Sequence, residues 1–460
     1  MTDTNVDLVV LGGGTAGYAA AIRAAELGSK VVLVEKGKLG GTCLHRGCIP
    51  TKTLLHAAEV ADEIKEAAAV GLSATFEGVD IEGLHKYKDG IVSRHWKGLQ
   101  GIVKSHGITV VEGEGRFEAP TSIVVGDDRY VGTDVVLATG SYSRSLPGLD
   151  ITGRVITSEQ ALGLQWIPQK ALVLGGGVIG VEFASIWASL GAEVTIIEAL
   201  PSLAPAEDPW VGKQLERAFR KRKIGFKTGV RFSGVTQDDS GVTVTLESGE
   251  SLQADLLLVA VGRGAATAGN GFEEAGVTLD RGFVITDERL ATNLPHVYAI
   301  GDIVPGLQLA HRGFQQGIFV AEEIKGLNPV VIPDVQIPRV TYCDPQIASV
   351  GLTEQQAVDR LGADAVETYV YNLGGNGKSD ILRTSGGVKV VREKNGPVLG
   401  FHMVGGRIGE LIGEAQLITG WEAHPEDVAP LLHAHPTQTE AIGEAMLALA
   451  GKPLHAGAAH

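Results

Sequence analysis

A pattern of strand, glycine-rich turn, helix and strand occurs twice in this chain, and it limits the possible folds more than any other feature. The first copy, VDLVVLGGGTAGYAAAIRAAELGSKVVLVEK, occupies residues 6–36, and the second, ALVLGGGVIGVEFASIWASLGAEVTIIE, occupies residues 171–198. A unit of this kind is typical of a βαβ element that binds a dinucleotide. The two copies predict an α/β chain with two Rossmann-like dinucleotide-binding domains.

The glycines of the first copy have separate physical roles. Gly12 permits a tight turn, Gly14 lets the backbone approach a pyrophosphate, and Gly17 lets the helix pack closely on the strand. The helix N-terminus adds partial positive charge that favours phosphate. Glu35 ends the second strand, at the spacing of an acid that binds a ribose.

The second copy repeats these positions with Gly175, Gly177, Gly180 and the terminal acid Glu198. Both copies could be glycine-rich junctions that bind nothing, but two complete copies disfavour that interpretation. A single chain with two dinucleotide sites suits an enzyme that passes a hydride between a flavin and a nicotinamide.

Charge and the N-terminal sequence narrow the class of protein further. The 460 residues contain 39 Lys and Arg against 54 Asp and Glu, a net charge of -15, which would repel nucleic acid and anionic membranes. No basic region followed by an apolar signal segment precedes the first strand, and residues 8–22 are too few and too glycine-rich to span a bilayer. We expect a cytoplasmic protein with no nucleic-acid or membrane partner.

Two of the three cysteines lie close together in GGTCLHRGCIPTK, residues 40–52. So few cysteines in so long a chain make no disulfide framework. In a cytosolic protein such a close pair is redox-active or metal-binding more often than structural.

Further apolar strands end in glycine or aspartate and fit around the two copies. DVVLATG (134–140) and LLLVAVGR (256–263) are each expected to close a nucleotide-binding domain. TNLPHVYAIGD (292–302) ends in Asp302, which could bond a ribityl or phosphate-linked group or could be an ordinary turn residue. TSIVVGDDRYVGTD and GVTVTLESGESLQAD alternate around turn residues and predict hairpins.

The order of these motifs resembles that of the flavoprotein disulfide reductases over essentially the whole chain. The similarity rests on the two glycine fingerprints, GGTCLHRGCIPTK, TNLPHVYAIGD and the C-terminal HAHPTQTEA. It is strongest to the dihydrolipoamide dehydrogenase branch of the class I pyridine nucleotide-disulfide oxidoreductases. This resemblance implies FAD in the first site, NAD in the second and a C-terminal α+β domain that forms a homodimer.

The resemblance also implies an activity, partners and domain limits. The enzyme would oxidise protein-bound dihydrolipoamide to lipoamide and pass the hydride to NAD+. Its partners would be lipoyl domains of 2-oxo acid dehydrogenase acyltransferase components or the lipoyl protein of glycine cleavage. We expect FAD-binding segments at 1–148 and 271–337, an NAD-binding domain at 149–270 and a dimerisation domain at 338–460.

By the same resemblance, Cys43 is the thiol that meets the substrate and Cys48 is the thiol against the flavin. Residues after Pro50 look helical, so Cys48 should lie near a helix N-terminus, where a thiolate is stabilised. A zinc site is disfavoured because zinc normally needs four ligands, and a structural disulfide across so short a loop would add little stability. Cys343 is expected to be a buried residue of an apolar strand.

Lys52 matches the family lysine near the reactive nitrogen of the flavin, and Glu182 matches the acid that pairs with it. The cofactor-binding positions that the resemblance and the motifs predict together are Gly12, Gly14, Gly17, Glu35, Lys52, Thr139, Gly140, Asp302, Ala310, Gly175, Gly177, Gly180, Glu182, Glu198 and Gly262.

The dithiol substrate needs a base, because the thiolate is the species that attacks a disulfide. In LLHAHPTQTEAIGEA the family pattern aligns His435 as the base and Glu440 as the carboxylate that orients it. His433 has no assigned role, and we expect His455 and His460 to be solvated and idle. His45 and Arg46, between the cysteines, are interpreted as variation near the site.

The second fingerprint strand favours NAD over NADP. Glu198 would bond a ribose 2′-hydroxyl and repel a 2′-phosphate, and the following ALPSLAPAED contains no Lys or Arg. One alternative is an NAD(P)H-dependent reductase of another small disulfide, of the mycothione or glutathione type. A second is a flavoprotein that keeps the fold without turnover, against which the intact cysteines, His435 and Glu440 argue. The sequence names no parent complex.

Overall fold

The computed structural model describes residues 2–118 and 120–457. The chain forms two compact units. Unit 1 comprises Met1–Leu54, Asp80–Arg144 and Gly262–Ile332, and unit 2 comprises Leu55–Val79, Ser145–Val261 and Pro333–His460.

Strands and helices alternate through most of the chain. In chain order the strands are β1 (Thr2–Leu11), β2 (Val31–Glu35), β3 (Thr109–Glu112), β4 (Gly115–Glu118), β5 (Ser122–Val125), β6 (Asp128–Leu137), β7 (Ser141–Ser143), β8 (Val155–Thr157), β9 (Lys170–Leu174), β10 (Glu193–Ile197), β11 (Gly225–Lys227), β12 (Phe232–Gln237), β13 (Val242–Leu246), β14 (Ser251–Ala254), β15 (Leu256–Val259), β16 (Arg263–Ala265), β17 (Leu279–Asp280), β18 (Phe283–Val284), β19 (Val297–Ala299), β20 (Arg339–Thr341), β21 (Gln346–Gly351), β22 (Val366–Asn372), β23 (Gly387–Glu393) and β24 (Val398–Gly405). The helices are α1 (Thr15–Glu26), α2 (Gly41–Arg46), α3 (Cys48–Glu66), α4 (Ile81–Ser105), α5 (Ser158–Ala161), α6 (Val178–Ser189), α7 (Pro209–Lys221), α8 (Ala310–Ile324), α9 (Glu354–Leu361), α10 (Gly377–Ile381), α11 (Ile412–Gly420), α12 (Pro425–Val428) and α13 (Glu440–Leu449).

Unit 1 is built on a sheet in the order β3-β2-β1-β6-β5-β4, with β19 beside β6. The strands β3, β2, β1, β6 and β19 pair in parallel, and β5 pairs antiparallel with β4 and β6. Val9 and Val10 of β1 are both 0% exposed and point to opposite faces, so each face of the sheet has its own core. This explains why the last four residues of β1, Leu8–Leu11, are a continuous apolar run.

Helix α1 packs against α8 with almost no side chain between the two backbones. A Cβ on Gly317 would lie 2.5 Å from Ala16 O, and Ala20 of α1 is fully buried. The alanines and glycines of these helices therefore let α8 lie directly on the helix that follows the first glycine loop.

Unit 2 contains a parallel sheet, a hairpin sheet and an antiparallel sheet. The parallel sheet has the order β11-β10-β9-β15-β8, the hairpin sheet β12-β13-β14, and the C-terminal sheet β20-β21-β24-β23-β22. Apolar residues of α11 and α13, among them Ala415 and Ile442, pack with the C-terminal sheet in one core. The C-terminal sheet and these helices together form the predicted α+β segment.

The predicted fold class is confirmed, and both predicted hairpins are present as β5–β6 and β13–β14. Two local expectations were wrong. The helix expected after Pro50 already begins at Cys48, because proline is tolerated in a first helical turn. Cys343 lies in the turn between β20 and β21 and not in a strand, although it is fully buried as expected. The four predicted domain limits stay a prediction.

Candidate dinucleotide sites and redox centre

The first glycine loop tolerates no side chain at two of its predicted positions. Gly12 has φ +107°, and a Cβ there would lie 2.2 Å from Ala138 O. A Cβ on Gly17 would lie 1.8 Å from Gly12 O. Gly14 differs, because a Cβ there would meet no described heavy atom within 4 Å. Gly12 and Gly17 thus form the loop, and Gly14 leaves space in front of α1.

The second glycine loop has nearly the same geometry. Gly175 has φ +111°, and its Cβ would lie 2.3 Å from Ala260 O. A Cβ on Gly180 would lie 1.9 Å from Gly175 O, whereas one on Gly177 would meet no described heavy atom within 4 Å. Both predicted fingerprints therefore have the local structure that their spacing predicts.

The acid at the end of each second strand bonds its own glycine loop. Glu35 Oε2 accepts a hydrogen bond from Gly13 N at 2.6 Å, and Glu198 Oε2 accepts one from Gly176 N at 2.6 Å. The other carboxylate oxygen accepts from Gly37 N and Leu200 N, respectively, at 2.7 Å. Each oxygen keeps a second lone pair for a ribose hydroxyl. Sequence reasoning assigned only the ribose role and missed the contact with the loop.

These loops fit the phosphates of a dinucleotide. No acidic residue lies in the first turn of α1 or α6, and no described side chain caps either helix, so backbone N–H groups face the open space at Gly14 and Gly177. A cleft of ≈ 410 Å³ opens beside Glu35, lined also by Leu39, Trp96 and Glu112. It has room for the nucleoside end of such a cofactor.

The helix that contains Cys43 lies against the first glycine loop. Gly40 N donates a hydrogen bond to Gly13 O at 2.8 Å, and Gly41 has φ +56° at the start of α2. A Cβ on Gly41 would lie 2.8 Å from the Cα of Gly14. The glycine pair before the redox motif therefore lets α2 approach the loop that would hold the pyrophosphate.

Cys43 and Cys48 are brought together, both half-buried and unlinked. The hydrogen bond between the two sulfurs and burial raise the pKa of Cys43, and the Lys52 ammonium opposes this rise. Cys48 is the first residue of α3, where the helix dipole favours the thiolate. Burial and the two cysteines also raise the pKa of Tyr18 to about 12. The arrangement favours a thiolate on Cys48 and a proton on Cys43.

His45, between the two cysteines, bonds the loop before them. Its Nε2 lies 2.8 Å from Leu39 O, and its ring is edge-on to Trp96 of α4 with 5.9 Å between ring centroids. This contact ties α2 to the loop that follows β2. The sequence alone does not show which backbone carbonyl His45 contacts.

The other predicted cofactor positions, which include Gly262 of the predicted NAD-binding domain, lie close to the ends of strands or helices. Asp302 follows β19 and accepts a hydrogen bond from the Ser141 hydroxyl. Thr139 Oγ1 donates to Ala266 O at 2.7 Å. The remaining members are Gly140, which has φ +79°, Gly262, which has φ +110°, and Ala310, which begins α8. Their roles at the cofactor stay predictions.

The predicted base and its carboxylate are in direct contact. His435 Nδ1 lies 2.8 Å from Glu440 Oε1, and the His435 side chain is 77% exposed. Burial raises the pKa of Glu440, but hydrogen bonds from Thr437 N and His435 outweigh it and lower this pKa overall. A carboxylate at Nδ1 leaves Nε2 as the nitrogen that can take a proton.

His433, which had no predicted role, pairs with Glu414 of α11. The two groups are 2.6 Å apart, and this hydrogen bond raises the pKa of His433. A Cβ on Gly443 would lie 2.5 Å from His433 Nδ1, so the ring packs against α13. His433 therefore anchors the loop that contains His435.

Three other predicted positions differ in their surroundings. Glu182 is buried and accepts a hydrogen bond from Tyr342 N at 2.9 Å, while its pairing with Lys52 stays a prediction. His455 is not idle: its Nδ1 lies 2.7 Å from Glu444 Oε1, and its backbone N donates to Glu444 at 3.0 Å. His460 lies outside the described residues.

Two negative findings apply to the part of the chain that the structure describes. Within it, no three His, Cys, Asp or Glu side chains form a group that could hold a metal ion. No helix in residues 2–118 and 120–457 has the length and apolar character needed to cross a membrane.

Comparison with known proteins decides the family. Residues 6–317 match the model of the pyridine nucleotide-disulphide oxidoreductases, and residues 337–446 match the dimerisation domain of the same proteins. The chain belongs to this family. The family confirms the predicted flavoprotein disulfide oxidoreductase with FAD and NAD as cofactors, and the dimerisation domain supports a homodimer.

Curated relatives match over almost the whole length. The dihydrolipoyl dehydrogenase of Bacillus subtilis is 38% identical over 98% of this chain and 99% of its own. That of Thermus scotoductus is 39% identical over 98% of both chains. A leghemoglobin reductase of Vigna unguiculata is 39% identical over 97% of this chain and 88% of its own.

Solved structures share the fold of this oxidoreductase. LpdA from Mycobacterium tuberculosis superimposes with a TM-score of 0.88 at 26% identity, over 97% of this chain and 99% of that one. The Cu(II) complex of the HOCl-induced flavoprotein disulfide reductase RclA from Escherichia coli gives 0.87 at 27% identity, over 96% and 99%.

Proposed function

We propose that this oxidoreductase is a dihydrolipoyl dehydrogenase that acts in the cytoplasm on dihydrolipoyl groups carried by lipoyl domains. These domains belong to 2-oxo acid dehydrogenase acyltransferases or to the glycine cleavage system. The observation that carries the proposal is the hydrogen-bonded pair of Cys43 and Cys48, which lies beside a dinucleotide loop. Relatives named dihydrolipoyl dehydrogenase, 38–39% identical over nearly the full length, give it further support.

In the oxidised enzyme Cys43 and Cys48 form a disulfide. One substrate thiolate attacks the Cys43 sulfur, which makes a mixed disulfide and releases Cys48 as the thiolate. The second substrate thiolate then attacks the substrate sulfur of that mixed disulfide. This step closes the lipoyl ring and releases Cys43, which takes up the proton of the second substrate thiol because its raised pKa favours the thiol form. The helix N-terminus at Cys48 stabilises the leaving thiolate.

His435 takes the proton of the attacking thiol at Nε2, because Glu440 holds its Nδ1. The low pKa of Glu440 keeps that carboxylate charged, so it can stabilise the imidazolium that forms. In a two-fold dimer, His435 of one subunit would serve the cysteines of the other. The segments proposed for the cofactors and the interface are 1–148 and 271–337 for FAD, 149–270 for NAD and 338–460 for dimerisation.

When bound, FAD would supply the two-electron chemistry that links the dithiol to NAD+. The loops at Gly14 and Gly177 would hold the two pyrophosphates, and Glu35 and Glu198 the adjoining riboses. Lys52, which lowers the pKa of Cys43 by its charge, would also face the flavin. Glu198 is 7% exposed, and each of its carboxylate oxygens accepts one backbone hydrogen bond, which holds the charge in place beside a 2′-phosphate. NAD is therefore the nicotinamide that we propose.

A direct assay tests the proposal. The purified flavoprotein is mixed with free dihydrolipoamide and NAD, and the formation of NADH is followed by absorbance. Glutathione disulfide and mycothiol disulfide, each with NADH or NADPH, serve as competing substrate pairs. Turnover of dihydrolipoamide that exceeds both by orders of magnitude supports the proposal. Faster reduction of either small disulfide refutes it and supports the alternative reductase.

Subunit exchange tests the shared active site. Cys43→Ala and His435→Ala homodimers should each be nearly inactive in dihydrolipoamide oxidation. In a mixed dimer one site contains both changes and the other contains neither. Exchange in equal amounts should restore about one quarter of the wild-type activity, because half of the dimers are mixed and each has one intact site. If exchange is demonstrated and activity stays absent, Cys43 and His435 act within one chain.

A further inference from the structure

Helix α4 has a positive charge balance in an acidic protein. Its sequence, IEGLHKYKDGIVSRHWKGLQGIVKS, contains five Lys or Arg residues and only two acids, while the whole chain has a net charge of -15. Most of this charge is exposed. Lys88 is the exception, because it is buried and lies 3.3 Å from Asp89.

The other four cations, Lys86, Arg94, Lys97 and Lys104, form what we call the α4 basic face. Lys86, Lys97 and Lys104 are separated by 11 and 7 residues, about three and two whole turns, so they lie in one row. Leu99 and Val103, which are 9% and 1% exposed, lie on the opposite side of the helix.

The α4 basic face has no ion-pair partner within the described ranges 2–118 and 120–457, and all four side chains belong to exposed residues. The acids of α4 do not neutralise it. Glu82 lies in the first turn, where the helix dipole favours it, and Asp89 pairs with Lys88. The charges of Lys86, Arg94 and Lys97 therefore act outward, while Lys104 also lines the cleft beside Glu35.

Helix α4 packs against the redox helix α2 through the side that carries Trp96. Trp96, which lies between Arg94 and Lys97 in the sequence, contacts the ring of His45 at 5.9 Å between centroids. His45 is two residues after Cys43 in α2. The segment that matches the dimerisation domain, residues 337–446, does not include α4. A partner on the α4 basic face would therefore be separated from the redox helix only by α4 itself.

We propose that the α4 basic face is the docking surface for a carboxylate-rich lipoyl domain that carries the dihydrolipoyl group on a lysine. This inference rests on the proposed function and adds the partner's charge and place. A substrate that arrives on a separate protein must find Cys43 quickly and leave again. Complementary surface charge speeds such encounters without tight binding.

The position of the charges suits this role. Exposed cations at the rim of a contact change the association rate and its salt dependence more than the lifetime of the complex. At 0.1 M salt they act over about 10 Å, so only charges near the contact matter. Free dihydrolipoamide has no carboxylate and would gain nothing from the α4 basic face.

The test compares two triple variants of the full-length holoenzyme. K86Q/R94Q/K97Q removes three charges from the α4 basic face, and Lys104 is kept because it lines the cleft beside Glu35. The control, K213Q/R217Q/K221Q, also removes two lysines and one arginine, but from the exposed side of α7. Each enzyme is assayed with NAD and either free dihydrolipoamide or a recombinant acidic lipoyl domain bearing dihydrolipoyl-lysine, at several NaCl concentrations.

For the lipoyl domain, we expect the α4 variant to lose about ten-fold in kcat/KM at low salt, mainly through KM. Its rate should also depend less on NaCl than that of the wild type. With free dihydrolipoamide the variant should match the wild type. The α7 control should stay within about two-fold on both substrates. With wild-type enzyme, a lipoyl domain whose surface carboxylates are changed to amides should show a similar loss of kcat/KM at low salt.

Other outcomes overturn the proposal in distinguishable ways. An equal loss on both substrates would mean that the α4 cations affect the chemistry or the fold. An equal loss in the α7 control would mean that only overall charge matters. No loss on either substrate would mean that the lipoyl domain docks elsewhere. If wild-type enzyme fails to oxidise even free dihydrolipoamide, the proposed function itself is wrong, and this docking surface falls with it.

Discussion

The two glycine loops are nearly identical, yet the chain after each one differs. In both, a glycine in the left-handed region packs on the carbonyl of the residue that follows a strand. An acid 22 residues after Gly13 or Gly176 accepts a hydrogen bond from that glycine's N–H at 2.6 Å. After β2, however, Gly40 and Gly41 return the chain to the loop and begin the redox helix. After β10 the chain instead leads to α7, whose N-cap is Asp208.

The difference separates binding from chemistry. The part that the two βαβ elements share has the geometry for a dinucleotide. The segment after the second strand of each element determines which reaction that element serves. The acids differ as well, since Glu198 is 7% exposed while Glu35 is only half-buried. The second site should therefore be more rigid toward groups added at the ribose.

The largest effect should come from Cys43 and Cys48, because the second glycine loop is followed by no comparable cysteine pair. Cys43→Ser and Cys48→Ser should each lower dihydrolipoamide oxidation by about a thousand-fold or more, because each removes a reacting sulfur. Reduction of ferricyanide by NADH should continue in both variants, because it needs the two dinucleotide sites but no dithiol. Both activities are measured on the same FAD-loaded samples.

Absorbance distinguishes the roles of the two cysteines. Cys43→Ser should leave Cys48 as a thiolate and show, without any reductant, the long-wavelength band of a thiolate packed against an oxidised flavin. Cys48→Ser should lack this band. The reverse result would mean that the two roles are exchanged, and loss of the ferricyanide activity would mean that the fold had changed.

The next effect compares the tight contacts of the two loops. Gly17→Ala and Gly180→Ala each place a Cβ within 2 Å of a carbonyl oxygen, so both loops must shift. A shift that costs 1–3 kcal/mol would weaken dinucleotide binding by roughly ten- to a hundred-fold. Gly17→Ala should yield protein with little FAD, whereas Gly180→Ala should stay yellow and lose NAD reduction.

Gly90→Ala is the matched control for these glycine variants. Gly90 lies exposed on α4, and a Cβ there would meet no described heavy atom within 4 Å. It should keep both FAD and activity, with a small gain in stability from the better helix former. Loss of FAD in Gly180→Ala would show that the second loop does more than hold a nicotinamide.

These glycines also show how far the sequence could predict the site. Gly17 and Gly180 could be predicted from spacing, because strand, turn and helix are continuous in the chain and leave no freedom between them. The hydrogen bonds that Gly13 N and Gly176 N donate to Glu35 and Glu198 join residues 22 positions apart. The sequence pattern is compatible with either a hydrogen-bonded or a free carboxylate.

Other parts of the site could not be predicted because their partners are distant in the sequence. Glu182 accepts a hydrogen bond from Tyr342 N at 2.9 Å, 160 residues away. His45 is only 6 residues from Leu39, but it bonds a backbone carbonyl, which any residue type would supply. Such pairs leave no local period or motif. The α4 basic face could not be inferred from the net charge of -15, because that value sums over the whole chain and does not show a single positive helix.

A smaller effect concerns the choice of nicotinamide. Wild-type enzyme should prefer NAD to NADP by roughly ten- to a hundred-fold in kcat/KM, because Glu198 would repel a 2′-phosphate. Glu198→Gln should reduce this preference by about ten-fold, although the lost acceptor also slows the reaction with NAD. Glu35→Gln, the same change in the first loop, should leave the preference unchanged. Equal use of NAD and NADP by wild-type enzyme would refute the role of Glu198.

The smallest effect lies outside both loops, at His433 and Glu414, and it should depend on pH. Glu414 raises the pKa of His433 in the folded protein. The pair therefore stabilises the fold fully below the unfolded pKa of about 6.5, and this stabilisation is lost as the pH rises through the raised folded value. No residue of either glycine loop is among the groups that shift the pKa of His433.

Glu414→Gln tests this dependence. With side chains 13% and 29% exposed, the pair should contribute about 0.5 kcal/mol, so the variant should lower Tm by about 1–2 °C at pH 5.5. At pH 9, where His433 is neutral in both proteins, the difference should nearly vanish. Glu410→Gln removes the same charge four residues earlier and should show no such trend. An equal Tm difference at both pH values would mean that Glu414 holds His433 by geometry alone, and that its protonation does not stabilise the loop that contains His435.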